Sequence, residues 1–340
     1  MSERTRVVCF GELLVRLSSS DGEQLLQSPS LQVHFGGAEA NVAVSLARFG
    51  HAAAMISIVP PNALGAAAVA ELRRHGVDTS GILTGPGRMG LYFLTPGAVS
   101  RPSAVLYDRA GSAFALAAAT SIDWRAALRG AGWLHLSGIA SALGENAAAA
   151  NQRAADAALE LGVAVSFDGN YREQLWAASG GDARQLLLGM LAAAQLAFVD
   201  DRDISLLLGF ARRDGDALER RRAAAAAAFA AFPRLETICS TIREVDSAQR
   251  QRLGGVLFTR KQELKSRTYS LDGIVDRVGA GDAFAAGMLH GRLAGLAEQD
   301  MLELAVAAAA LKHSIRGDFN LVSLSDVEQL VAAKTLDIRR

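Results

Sequence analysis

The stretch Asp276-Arg277-Val278-Gly279-Ala280-Gly281-Asp282-Ala283-Phe284-Ala285-Ala286-Gly287 decides how this chain of 340 residues is read. A strand is expected over Tyr269 to Val275, running into it, and a small-residue helix over Ala283 to Leu293, running out. Gly279, Ala280 and Gly281 lack bulk, so the backbone can turn sharply and approach a ligand closely. The N–H groups that open a helix have no intrahelical partners and carry the positive end of its dipole. Such a turn is an anion site suited to a phosphoryl group. Asp282 stands at its mouth. The dipole favours its ionised form, yet it can take a proton from a hydroxyl attacking a phosphate. The plain alternative is a glycine turn whose aspartate caps the helix.

Outward from this stretch the chain alternates strand and helix. Val7 to Gly11 is a short apolar run and reads as a buried strand. Ala52 to Val59, Trp133 to Leu136, Val163 to Phe167, Leu196 to Val199 and Thr237 to Ser240 read as further strands. Helices are predicted over Val42–Phe49, Asn62–His75, Glu145–Leu161, Ala183–Ala193, Ile204–Phe210, Asp216–Phe232, Asp300–Ile315 and Ser325–Lys334. This rhythm implies a parallel sheet covered by helices on both faces. Short strands, Gly255–Thr259 and Arg267–Val275, lead back to the opening motif. Leu13–Ser18 with Leu31–Phe35, and Met89–Thr95 with Ala104–Asp108, alternate apolar and polar residues as half-exposed strands do. They predict a small four-stranded sheet acting as a lid, within residues 12–36 and 88–109. The alternative is that they extend the main sheet.

Composition narrows the function classes. Thirty-five basic residues balance thirty-five acidic ones, which leaves no electrostatic footprint for nucleic acid or a membrane surface. No apolar run approaches the ~18 residues of a membrane span. The N-terminus has no signal-peptide pattern, so a cytoplasmic location is expected. Cys9 and Cys239 lie in apolar strand-like runs and read as buried free thiols. The length admits one large α/β domain or two small ones, and the chain is read as one, residues 1–340. Alanine blocks near Ala147, Ala223 and Ala307 read as helix.

Three further segments carry candidate chemistry. In Gly36-Gly37-Ala38-Glu39-Ala40-Asn41, paired glycines let amides approach hydroxyls, and Asn41 offers a donor and an acceptor. A tight strand–helix turn is the bland reading. Tyr107-Asp108-Arg109 closes a lid strand, and Asp168-Gly169-Asn170-Tyr171-Arg172 follows another strand. Arginines at two strand ends suit bidentate recognition of a carboxylate; the bland reading is surface ion pairs. Asp200-Asp201-Arg202-Asp203 follows a third strand. His135 reads as a core residue, His34 and His75 have no partners at metal-ligand spacing, and Trp124, Trp133 and Trp176 read as packing.

Gly279-Ala280-Gly281-Asp282-Ala283-Phe284 preceded by Asp276 resembles the C-terminal signature of the ribokinase-like (pfkB) carbohydrate kinases, and Gly36 to Asn41 resembles their N-terminal signature. The likeness runs from Val7 to about Val331. It implies a ribokinase-like fold, a doubly wound, mostly parallel α/β sheet with helices on both faces and a small β-sheet lid. It also implies Asp282 as base, the amides of Gly279, Ala280 and Gly281 on the transferring phosphoryl group, and Gly36, Gly37 and Asn41 on the sugar. Val105–Ala113, Phe167–Trp176 and Lys312–Asn320 resemble 2-keto-3-deoxygluconate kinases. There Tyr107, Arg109 and Arg172 would hold the keto-acid end and Asp318 hydroxyls at the other. Asn170, Ser240, Arg243, Gly279 and Gly281 would face the nucleotide, and Asp200 and Asp203 would hold Mg²⁺ through water. The substrates implied are ATP and a sugar acid, with Mg²⁺ and, in some members, a monovalent cation. Exposed lid edges imply a homodimer.

Four places depart from the family pattern. Asp168-Gly169-Asn170 stands for Asp-Pro-Asn, and Asp200 to Asp203 for Asn-x-x-Glu. Ser240 to Val245 replaces a Lys-x-Gly-x-x-Gly stretch. Arg277 also replaces the usual threonine, beside the place where the monovalent cation binds. A kinase for a neutral sugar or nucleoside, and a silent sugar-binding protein, are the alternatives.

Overall fold

The computed structural model describes residues 5–210 and 215–333. Numbered along the chain, the strands are β1 Arg6–Phe10, β2 Leu14–Ser18, β3 Gln32–Gly36, β4 Ala53–Val59, β5 Ile82–Thr84, β6 Gly90–Thr95, β7 Ala104–Asp108, β8 Ala131–Ser137, β9 Ala164–Asp168, β10 Leu196–Phe198, β11 Thr237–Val245, β12 Arg250–Thr259, β13 Glu263–Lys265 and β14 Tyr269–Asp272. Ten of them form one sheet in the order β13-β12-β11-β10-β9-β8-β1-β4-β5, with β14 also paired to β12. From β11 to β5 every pairing is parallel, and β12 adds antiparallel pairs at one edge.

Strand alternation places successive side chains on opposite faces, and β1 shows the outcome. Val8 and Phe10 enter one apolar cluster with Ala154 and Leu191, while Val7 and Cys9 enter another with Leu46, Met288 and Leu302. The sheet is therefore a middle layer between helices, which is why β1 reads as a continuous apolar run. The alanine blocks set the spacing of those helices. A Cβ on Gly287, in the helix Ala280–Ala294, would lie 2.6 Å from Ala305 Cα in the helix Glu298–Lys312. Small residues there allow the two backbones to approach closely. Cys9 and Cys239 are buried free thiols, and no helix among the described residues is long and apolar enough to cross a membrane.

The lid is a separate four-stranded sheet, β3-β2-β6-β7. β2 and β6 run parallel at its centre, and each has an antiparallel partner outside. The sequence reading goes astray mainly at Ser240–Val245. That segment continues β11 and pairs with β12 from Thr237↔Thr259 to Val245↔Gln251, so it is a long hairpin arm. The last helices run over Glu298–Lys312 and Leu324–Ala332; Lys334 lies outside the described residues.

Candidate active site

The helix after the glycine turn begins at Ala280, earlier than expected, with Gly279 as its N-cap at φ 81°. Asp282 is thus a first-turn residue, and the reading of it as a cap is wrong. Ala280 N–H closes a turn onto Arg277 O (3.3 Å) and Ala283 N–H bonds Gly279 O (2.9 Å). The amides of Gly281 and Asp282, in the first turn, have no intrahelical acceptor. A Cβ on Gly281 would meet nothing within 4 Å, whereas one on Gly279 would lie 2.0 Å from Asp318 O. Gly279→Ala therefore combines left-handed strain with a backbone collision. We expect it to cost at least about 2 kcal/mol, read as a lowered Tm.

Asp282 projects into a cleft of about 700 Å³, a volume in the range of small-ligand sites. Asn41 comes from the first turn of the helix Ala38–Arg48, and its Nδ2 donates to Asp282 Oδ2 at 2.6 Å. Asn41 Oδ1 is buried with no hydrogen-bond partner, an acceptor available to a ligand hydroxyl. Burial outweighs the dipole and Asn41: it pushes the Asp282 carboxyl up to about 6, while Asn41 and Arg172 pull it down. A base must be deprotonated to act. We expect kcat/KM, which reports the free enzyme, to hold above pH 6 and to fall roughly tenfold per pH unit below it.

Beneath the lid end of the cleft lies a buried charge cluster. Asp318 Oδ2 accepts from Tyr92 Oη at 2.5 Å, and its Oδ1 from Arg16 Nη1 at 3.1 Å. Arg16 Nη2 reaches Asp276 Oδ2 at 2.6 Å. All three charged side chains are at most 5% exposed. Asp276 also accepts from the amides of Val278 and Gly317, both at 3.0 Å, and so clamps the anion loop. Burial raises the Asp318 carboxyl and Arg16 lowers it. Gly36 does not line the cleft; a Cβ there would lie 2.2 Å from Asp318 Oδ2, so its smallness makes room for Asp318. Gly37, at φ 146°, does line the cleft.

Tyr107, Arg109 and Arg172 line the same cleft. Arg109 is buried and its Nε donates to Glu12 Oε2 at 2.6 Å, but its Nη1 is buried without a partner. Arg172 is exposed at the mouth, with Nη1 3.4 Å from Tyr171 O. Asn170, at φ 39°, has an unpartnered buried Oδ1.

Arg243 and Thr241 also line the cleft. Ser240 does not, because strand alternation turns it away from them. Arg202, which sequence reasoning passed over, and Arg277, noted there only as a departure from the family pattern, are further cations on the wall. Glu12 and Arg16 escaped it too, as did Glu39, whose Oε1 accepts from Ser137 Oγ at 2.5 Å in the core behind the site. Burial pushes Glu39 up to about 7.

Asp200 caps the helix Asp201–Leu208. It accepts from Arg202 N (2.7 Å) and Asp203 N (3.2 Å), while Asp203 Oδ2 accepts from Asp200 N (3.0 Å). Both line the cleft beside Asp168. Burial foremost, then neighbouring carboxylates, pushes Asp168 up to about 8 and Asp203 up to about 7. Carboxyls held that high, beside the orphan Asn170 Oδ1, fit a hydrated divalent cation that restores their ionised form. Among the described residues no three His, Cys, Asp or Glu side chains form a direct metal cage, so the fit is to a cation bound through its waters. Elsewhere His135 is buried, Nδ1 2.9 Å from Ser166 Oγ, as a core residue.

A doubly wound sheet, a β-lid, and a carboxylate in the first turn behind a glycine anion loop define a sugar-kinase architecture of the ribokinase type. The chain belongs to the pfkB family of carbohydrate kinases, whose model matches residues 4–238 and 252–320. It is 32% identical to the 2-dehydro-3-deoxygalactonokinase of Haloferax volcanii, over 98% of this chain and 99% of that one. The solved structure of the 2-dehydro-3-deoxygluconokinase of Thermotoga maritima is similar at TM-score 0.92 and 39% identity, over 97% of this chain and 100% of that one. A putative ribokinase II of E. coli, solved with ATP and Mg²⁺, shares the fold at TM-score 0.81 and 21% identity, over 96% and 99%.

Proposed function

We propose that the protein is an ATP-dependent kinase that phosphorylates the terminal hydroxyl of 2-keto-3-deoxy-D-gluconate, working as one catalytic unit. One observation carries the substrate class: an exposed arginine and a buried arginine with a free Nη1 share a cleft with Asp282 and the glycine loop. Arg172 and Arg109 would fix the carboxylate, with Tyr107 beside them. Asn41 and Asp318 would hold hydroxyls. The far hydroxyl would then lie near Asp282, which takes its proton as it attacks the γ-phosphorus. The amides at the start of the helix Ala280–Ala294 would take up the charge that grows on the phosphoryl oxygens. Arg243 and Arg277 would offset the charge of the nucleotide phosphates. Mg²⁺ supplies further neutralisation of those phosphates when bound, and Asp200 and Asp203 would hold its waters.

A coupled ADP-release assay tests the reading with 2-keto-3-deoxygluconate, its galactonate epimer, fructose, ribose and adenosine. Turnover confined to the keto acids is expected. Turnover of a neutral sugar alone would leave the base and the loop in place and remove the carboxylate site. The Arg109–Glu12 pair is what favours that second reading, since Glu12 already occupies part of one guanidinium. The same reading places the enzyme in the cytoplasm, where ATP is held. Val33 and Leu106, on the lid edge strands β3 and β7, are 56% and 59% exposed. A homodimer through the lid would cover them, and a monomeric mass by light scattering at micromolar concentration would count against it.

A further inference from the structure

Lys312 ends the helix Glu298–Lys312 and is fully buried, at 0% exposure. Its Nζ donates to Ile315 O at 2.9 Å. Its Cε lies 3.3 Å from where a Cβ on Gly279 would stand. The ammonium is therefore packed directly behind the anion loop. The same turn fixes that loop from another side, because His313 O accepts from the amides of Val275 (2.9 Å) and Asp276 (3.2 Å).

A lysine that merely caps a helix C-terminus can do so from the surface, with its charge in water. Burying the charge is costly unless something compensates it. The nearest carboxylates, Asp276 and Asp318, are already bonded to Arg16. Burial lowers the ammonium to about 8, against the pull of those two carboxylates, so it is charged at neutral pH. What it adds, beyond one hydrogen bond, is a fixed positive charge under a loop that receives a phosphoryl group.

We propose that Lys312 is a positioning residue whose ammonium serves as the built-in cation of the phosphoryl-binding loop, so that the enzyme needs no added monovalent cation. It holds Ile315 O and stands behind Gly279, on the far side of the loop from the amides of Gly281 and Asp282, which have no intrahelical acceptor. The inference rests on the kinase reading above. It predicts that wild-type kcat is the same in potassium, ammonium or tetramethylammonium salt.

Lys312→Gln keeps a donor for Ile315 O and removes the charge. It should stay folded and lose on the order of a hundredfold in kcat with KM for the sugar unchanged, because a fixed charge in a water-poor site acts far more strongly on the developing phosphoryl charge than it would in water. Lys312→Ala opens a space beside Gly279. Potassium, ammonium or methylammonium should raise its kcat about tenfold, and tetramethylammonium, too large to enter, should not. Potassium activation of the wild type, full kcat in Lys312→Gln, or a folded Lys312→Ala that no cation rescues would each overturn the proposal. Titration calorimetry with AMP-PNP needs no sugar and keeps the substrate reading separate. Lys312→Gln should bind AMP-PNP about tenfold more weakly than wild type with ADP affinity unchanged, and equal AMP-PNP affinities would overturn the proposal even if no sugar in the panel is turned over.

Discussion

Replacing Asp282 with asparagine should nearly abolish turnover while the sugar still binds. The amide keeps the size of the carboxylate and an oxygen to accept from Asn41 Nδ2, now 2.6 Å from Oδ2. What it cannot do is take a proton. A positioned base contributes on the order of 10²–10⁴ in rate, so kcat should fall by about a thousandfold with little change in KM. Stability should not fall with it. Burial holds the Asp282 carboxyl up at about 6, so the carboxylate that predominates above that pH costs the folded chain stability, and a neutral amide relieves the penalty. A variant with an unchanged Tm, a bound keto acid and wild-type kcat would remove Asp282 from the reaction.

Arg172→Ala should raise KM for the keto acid by roughly 10- to 100-fold, since a hydrogen bond to a charged group contributes about 1.5–3 kcal/mol. Any residual turnover of a neutral sugar should be unaffected. Arg172 is the informative arginine because it is exposed and its described contact is to Tyr171 O. Arg109→Ala would strand Glu12, which is 2% exposed, as an uncompensated buried charge. That change costs about 3–5 kcal/mol in folding stability, and its kinetics would report structural damage as much as lost recognition. Equal KM changes for acid and neutral sugars in Arg172→Ala would refute the carboxylate role.

The parts of the site legible in the sequence are those where chemistry and backbone lie within a few residues of each other. Gly279 to Asp282, Gly37 to Asn41 and Asp168 to Arg172 each join a turn to a polar group, and all three meet in one cleft. The parts missed depend on distance along the chain. Arg16 lies between Val15 and Leu17 in an alternating strand and reads as a solvent-facing residue. It is buried because Asp276 and Asp318 come to it from 260 and 302 residues away. Alternation tells which face a side chain takes, never what covers that face. Glu12 and Arg109 are separated by 97 residues in the same way. The β11–β12 hairpin escaped because Asp246-Ser247-Ala248-Gln249 carries neither glycine nor proline, the residues that mark a tight turn. Resemblance supplied Asp318, which local pattern could not.

Arg16 belongs to the lid, and both carboxylates that hold it belong to loops of the main body. Removing either partner would leave a buried charge uncompensated, at about 3–5 kcal/mol. The two sheets are thus riveted at that corner, where Asp276 also accepts from the amides of Val278 and Gly317. Arg109, at the end of β7, is tied in the same way to Glu12, in the link between β1 and β2, with both side chains at most 3% exposed. The lid is thus held beside the glycine loop by charge as well as by the chain that links the two sheets.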